Sequence, residues 1–175
     1  MFLLEDLMNI IIEKAKPSDA AELLEYLKVI GSESNNLTFG PDGLLCTVEE
    51  EAEFLASELV SNTSVTLVAK RDGKIIGNAR FTGGLKERTK HRGDMGISVL
   101  KSEWGNGLGS MLLEALIDFA QNTAHAEVIT LEVNQTNKRA IALYEKFGFK
   151  KTGVFEAFTK IDGKYIDFDM MILYL

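Results

Sequence analysis

The chain has 175 residues, 46% of them hydrophobic, and a formal net charge of −7. That length supports one sizeable core in a single domain, and the acidic balance argues against a general nucleic-acid binder, because phosphate neutralisation needs clustered Lys and Arg. The single cysteine, Cys46, excludes an internal disulfide and a cysteine-rich zinc site, and no run approaches the twenty or so apolar residues of a bilayer span. No metal and no membrane partner is expected, and a cytoplasmic setting is.

Residues 1–8 carry Glu5 and Asp6 where a signal peptide wants basic groups, so they read as an extension or an alternative start at Met8, ahead of a single domain over 9–175. Residues 10–15 read as a strand. Pro17, Ser18 and Asp19 supply helix-start residues, and Ala20, Leu23, Leu24 and Leu27 place an apolar stripe on a first helix that Gly31 ends. Residues 32–46, rich in Asn and Gly, form a long loop. Loops of this length inside compact domains are often functional, but Cys46 within it has no nearby His and reads as a half-buried thiol, not a nucleophile.

Thr47 followed by Glu50 makes a capping box for a second helix through Ala52, Leu55 and Leu59. Residues 65–70 and 74–81 flank Asp72-Gly73, a hairpin signal. A polar excursion containing His91 leads to a strand over 94–99. Apolar positions Leu108, Met111, Leu112, Ala115, Leu116 and Phe119 define a third helix; a strand over 128–133 and a fourth helix ending at Phe147 follow. Residues 151–158 and 164–173 flank Asp162-Gly163 as a second hairpin, with Ile166, Phe168, Met170 and Ile172 on one face of the last strand and Asp167 and Asp169 on the other. The order β-α-α-β-β-β-α-β-α-β-β implies an α/β (α+β) fold: a mixed, mainly antiparallel sheet of about seven strands with about four helices on its faces.

The informative stretch is residues 97–113, where an apolar run enters a loop with glycine at alternate positions that opens directly into the third helix. Strand, glycine loop and helix N-terminus make an anion-binding construction suited to a diphosphate. No Lys-Ser or Lys-Thr follows Gly109, which argues against a Walker loop, and Gly105-Asn106-Gly107-Leu108-Gly109 lacks the interval of a dinucleotide fingerprint. Gly107-Leu108-Gly109 after an apolar strand resembles the acyl-CoA pyrophosphate loop of the GNAT superfamily of N-acetyltransferases. A second signature stands downstream in the family's order: Asn134 and Asn137 after a strand, Ala140-Ile141-Ala142-Leu143-Tyr144 on a helix, and Gly148-Phe149 at its end. One position departs from the family, which commonly has Arg or Gln where this chain has Trp104.

The resemblance implies a GNAT-like fold and direct acetyl transfer from acetyl-CoA to a primary amine of a small molecule or a protein, in a ternary complex. A non-catalytic CoA-binding regulatory module on the same fold is the alternative, and a nicotinamide oxidoreductase a more distant one. By the same resemblance, the pyrophosphate lies on the amides of Gly105, Asn106, Gly107, Leu108, Gly109 and Ser110. The pantetheine arm pairs with the backbone of Ile97, Ser98 and Val99, and Asn137 holds a pantetheine amide or caps its helix. Ser110 serves a phosphate oxygen or the helix cap, and Trp104 wedges the loop or touches the cofactor. Tyr144 is the general acid that protonates the thiolate, and a backbone N–H near Val99 or Leu100 serves the oxyanion. Asp94, His91 and Glu132 are the available bases, with Asp94 the candidate carried forward; His125 reads as structural or exposed. Glu33 and Phe39 are candidate acceptor contacts, and an edge-strand homodimer is compatible with the family.

Overall fold

A computed structural model describes residues 9–175, so the extension expected over 1–8 lies outside the described residues. The elements run β1 (Ile10–Lys14), α1 (Ala20–Glu33), α2 (Val48–Leu59), β2 (Ser64–Arg71), β3 (Lys74–Gly83), β4 (Arg92–Val99), α3 (Leu108–Asn122), β5 (Val128–Asn134), α4 (Lys138–Lys146), β6 (Lys150–Ile161) and β7 (Lys164–Tyr174). Strand and helix order match the expectation. The seven strands form one sheet in the order β1-β2-β3-β4-β5-β7-β6. Every neighbouring pair is antiparallel except β4 and β5, which the crossover through α3 makes parallel.

Alternation along the strands divides the apolar side chains between two layers. Val65, Leu67, Ala69, Ala79, Phe81, Ile129, Leu131 and Val133 face α3, whose Leu112, Leu113 and Leu116 are wholly buried. Each such leucine stabilises the fold by about 2 kcal/mol through removal from water. On the opposite face Val68 and Ile75 meet Leu23, Tyr26, Leu27, Ile30 and Leu55 of α1 and α2. The capping box forms as read: the Glu50 amide donates to the Thr47 hydroxyl at 3.1 Å, and the Thr47 amide donates to the Glu50 carboxylate at 2.8 Å. Both hairpins turn on the expected Asp-Gly pairs, all four residues having positive φ.

One local reading is corrected. Gly31 does not end α1, which continues to Glu33; a Cβ at Gly31 would lie 2.0 Å from the carbonyl oxygen of Gly40, so this glycine lets the following loop fold back onto the helix. Asp169, on the face opposite Phe168, is buried although it is charged. It is 8% exposed and holds Lys151 and Gln135, each at 2.6 Å, because the sheet is covered on both faces there and Met171 beside it is also buried.

Candidate functional site

The site begins where the sheet opens. Only Arg92, Gly93 and Asp94 of β4 pair with β5, opposite Val128, Ile129 and Thr130; beyond them the two strands diverge. Leu100 donates its N–H to Ile76 at 3.1 Å and Gly84 donates to Arg92 at 2.9 Å, so the even-numbered residues of β4 spend their peptide groups on β3. The N–H groups of Ile97 and Val99 therefore face the opening. A groove of about 430 Å³ follows this slot through the sheet, with Trp104, Gly107, Asn137 and Tyr144 toward one mouth and Asn78, Arg80, Glu132 and Phe158 toward the other.

At the first mouth the chain leaves β4 through a short 3₁₀ turn, Lys101–Glu103, and enters α3 at Gly107, whose φ of 83° an L side chain adopts only with strain. The amides of Gly105, Asn106, Gly107, Leu108 and Gly109 donate to no backbone acceptor among the described residues. The first turn of α3 carries no acidic side chain to offset the helix dipole. Unused donors and an unbalanced positive end fit a bound diphosphate, which is the test the implied acyl-CoA has to pass here. Ser110 lies within the helix and does not cap it. Gly109 lies close against α4, where a Cβ would come within 3.2 Å of Leu143.

Trp104 is half-buried, and its indole N–H donates to the Val99 carbonyl at 2.8 Å. That bond removes this carbonyl from the strand-like ladder expected for residues 97–99, while the Val99 N–H stays available. The Leu100 N–H is committed to Ile76, so of the two oxyanion donors expected only Val99 faces the slot. Asn137 caps α4, its side-chain oxygen accepting from the Ala140 amide at 3.2 Å, and its residue also lines the groove. Tyr144 packs its ring 5.7 Å from that of Phe149 and is 7% exposed. Burial pushes its phenol up to about 12, so the proton stays in place at neutral pH.

At the second mouth, Ser98 is tied to Tyr26 at 3.0 Å beneath α1. Arg80 rests 4.6 Å over the Phe54 ring and donates through Nε and Nη2 to Glu58 at 3.2 and 3.1 Å, so its charge is already matched. Glu132 lines the groove on the same face; burial first, and the Asp94 carboxylate second, hold its carboxyl above the usual range. Asp94 itself is turned to Arg92, at 3.2 Å, and to the Thr130 hydroxyl, and it lines no part of the groove. Glu33 lines the groove but accepts from the Lys101 amide at 2.7 Å, which ties α1 to the end of β4. Phe39 packs against the α1/α2 core, and its neighbours Leu37 and Thr38 line the groove in its place.

Two anchors complete the site: Asn134, part of the second signature, and Phe158, which no sequence motif marks. Asn134 is 4% exposed, accepts from the Thr136 amide at 2.9 Å and donates to the Asn35 carbonyl at 3.2 Å, so it fastens the long loop beside the slot. Phe158 follows a bulge at Ala157, whose φ is 53°, and stacks 4.7 Å from Phe168 to form the far wall. An unmatched residue in a strand pattern is the only signal that could have found it. Cys46 approaches Glu51 at 3.8 Å, and burial first, then that carboxylate, push the thiol up, away from nucleophilic use. No group of three or more metal-ligating side chains occurs among the described residues.

Comparison with known proteins gives a consistent picture. The model of the acetyltransferase (GNAT) family matches residues 32–149. An L-amino acid N-acetyltransferase, AaaT, of Escherichia coli K12 is 33% identical over 102 residues, which span 58% of this chain and 62% of that relative. An N-alpha-acetyltransferase of Saccharolobus solfataricus is 44% identical over 62 residues, 35% of this chain and 37% of the relative. A crystal structure of a GNAT-family acetyltransferase from Streptococcus pneumoniae superimposes with a TM-score of 0.91 at 37% identity, covering 95% of this chain and 99% of the other. The protein yncA of Salmonella typhimurium, solved with its cofactor acetyl-CoA, shares the fold at a TM-score of 0.82 and 21% identity, covering 95% of this chain and 94% of that one.

Proposed function

Given that this chain belongs to the GNAT acetyltransferase family, we propose that it is an N-acetyltransferase that moves the acetyl group of acetyl-CoA to a primary amine. The observation that carries the reading is the slot: unused amides at the start of α3 open onto a passage that reaches a buried tyrosine on one side and a raised carboxylate on the other. Amides 105–109 hold the pyrophosphate, and the peptide groups facing the opening hold the pantetheine arm. Asn137 supplies its remaining N–H groups there. Bound acetyl-CoA supplies the activated acyl group.

The amine must be neutral to attack, and Glu132, with a carboxyl held above the usual range, takes its proton directly or through one water. The nitrogen bonds to the carbonyl carbon, the carbon–sulfur bond breaks with its electron pair on sulfur, and the proton lost by the amine goes to the thiolate, giving an amide and a free thiol. The Val99 N–H faces the charge that builds on the carbonyl oxygen. Tyr144 donates to the departing sulfur. A phenol raised to about 12 is a weaker acid than a thiol near 8.5, so it shares its proton with the sulfur in the transition state and keeps it afterwards.

Exposed Val154 and Phe155 on the outer strand β6 suit an edge-strand homodimer, and the lone free cysteine suits a cytoplasmic setting. The test of function is an acetyl-CoA titration by calorimetry followed by an amine screen for thiol release. Saturable binding and amine-dependent release are expected. Binding without release from any amine would leave a CoA-binding module, and no binding would remove the reading.

A further inference from the structure

The loop assigned to the pyrophosphate contains no cation. From Ser102 to Leu113 there is neither Lys nor Arg, and the position where the family commonly carries Arg or Gln is Trp104. Backbone donors alone leave a diphosphate's charge largely uncompensated. Two arginines line the groove, and one of them, Arg80, is committed to Glu58 and stacked on Phe54 at the opposite mouth.

Arg139 is the other. Its guanidinium carbon lies 4.5 Å from the centroid of the Trp104 ring, it is exposed, and it makes no ion pair or side-chain hydrogen bond among the described residues. The ring beneath it is held in turn by the indole N–H bond to Val99. Trp104 belongs to the connection after β4, whereas Arg139 stands in the first turn of α4 after β5. The stack therefore bridges the two walls of the slot beside the unused amides. Two of the acids that line the groove are occupied elsewhere: Glu103 pairs with Arg71 at 2.8 Å, and Glu33 accepts from the Lys101 amide.

We infer that Arg139 is the pyrophosphate-pairing cation of this chain, held on Trp104 as a platform and turned to the phosphates when acetyl-CoA binds, so that a cation on α4 supplies the charge that residues 102–113 lack. This rests on the acetyl-CoA reading above. A planar guanidinium serves both positions, since it stacks on an aromatic face and presents paired N–H donors to phosphate oxygens. Trp104 is a positioning residue in this arrangement.

The experiment measures dissociation constants by calorimetry for acetyl-CoA, 3′-dephospho-acetyl-CoA and S-acetylpantetheine, with wild type, Arg139→Gln and Arg139→Lys. Emission of Trp104, the chain's only tryptophan, is recorded alongside. Arg139→Gln is expected to weaken both diphosphate ligands about tenfold, the size of one charge-assisted hydrogen bond, and to leave S-acetylpantetheine unchanged; Arg139→Lys recovers part of the loss. Wild-type emission should shift with either diphosphate ligand as the cation leaves the ring, and that shift should vanish in Arg139→Gln. Equal acetyl-CoA affinity in wild type and Arg139→Gln overturns the inference alone. So does an equal loss for S-acetylpantetheine, which would make Arg139 a groove-shaping residue, or a loss confined to the ligand that bears the 3′-phosphate. Absence of wild-type binding to acetyl-CoA overturns this inference together with the reading it rests on.

Discussion

The α3/α4 mouth of the slot draws its groups from two short stretches, residues 97–110 and 137–144, while the α1/α2 mouth collects Asn78, Arg80, Glu132 and Phe158 from three different strands and leans on the loop after α1. The first is made by local geometry: a left-handed glycine, a helix start and an N-cap place its donors. The second depends on which side chains alternation turns to that face and on contacts as distant in sequence as Asn134 to Asn35. On the reading proposed above, the end assigned to the cofactor depends on local chain geometry, and the end assigned to the acceptor depends on strands and a loop that can change without disturbing it. This is the sense in which function varies on a shared scaffold.

The sharpest way to break the comparison is Glu132→Gln, at the second mouth. It should lower kcat about a hundredfold with acetyl-CoA affinity unchanged, measured by thiol release and calorimetry. In the wild type, activity is expected to fall as acid protonates Glu132. Because burial and then Asp94 raise its carboxyl, that limb should lie above the usual range of glutamate, near 4.3, and disappear in the variant. An unmoved acid limb would assign the base elsewhere.

Tyr144→Phe probes the first mouth. The ring is core and the hydroxyl is assigned to catalysis, so the variant should retain its thermal stability and acetyl-CoA affinity but lose about thirtyfold in kcat, about the worth of one hydrogen bond to a charged group. Unchanged turnover would reduce Tyr144 to a packing residue.

Asn134→Ala separates the mouths. Loss of the bond to Asn35 should loosen the loop and raise KM for the acceptor several-fold, with the dissociation constant of acetyl-CoA unmoved. It should also cost about 1–2 kcal/mol of stability, because the Thr136 amide and hydroxyl lose their acceptor. A parallel loss of cofactor affinity would erase the distinction drawn between the two ends.

The smallest effect concerns stability alone, at Asp169 beside the start of α4. Burial works to raise this carboxyl, but Lys151 and Gln135 outweigh it, so its folded pKa is lowered. Its contribution is therefore complete above the unfolded value of about 3.8 and is lost as pH falls through the folded one. Asp169→Asn should flatten the acid side of a plot of melting temperature against pH, leaving kinetics at neutral pH nearly unaltered.

The amino-acid sequence by itself determined the element order, both Asp-Gly hairpins, the Thr47 cap and the glycine loop, because each depends on residues within one or two turns of chain or on a side-chain period, whereas Tyr144 stood out only through the resemblance to the GNAT family. The sequence also shows that residues 102–113 hold neither Lys nor Arg. Only the tertiary structure decided that Gly31 serves a returning loop, that Asp94 is engaged by Arg92 while Glu132 faces the groove, that Phe39 packs inward, and that Arg139 lies on Trp104. The physical reason is common to all four. Each depends on which group from a distant element claims a donor, a charge or a volume first, and that competition is settled by packing across the sheet, which leaves no periodic mark along the chain.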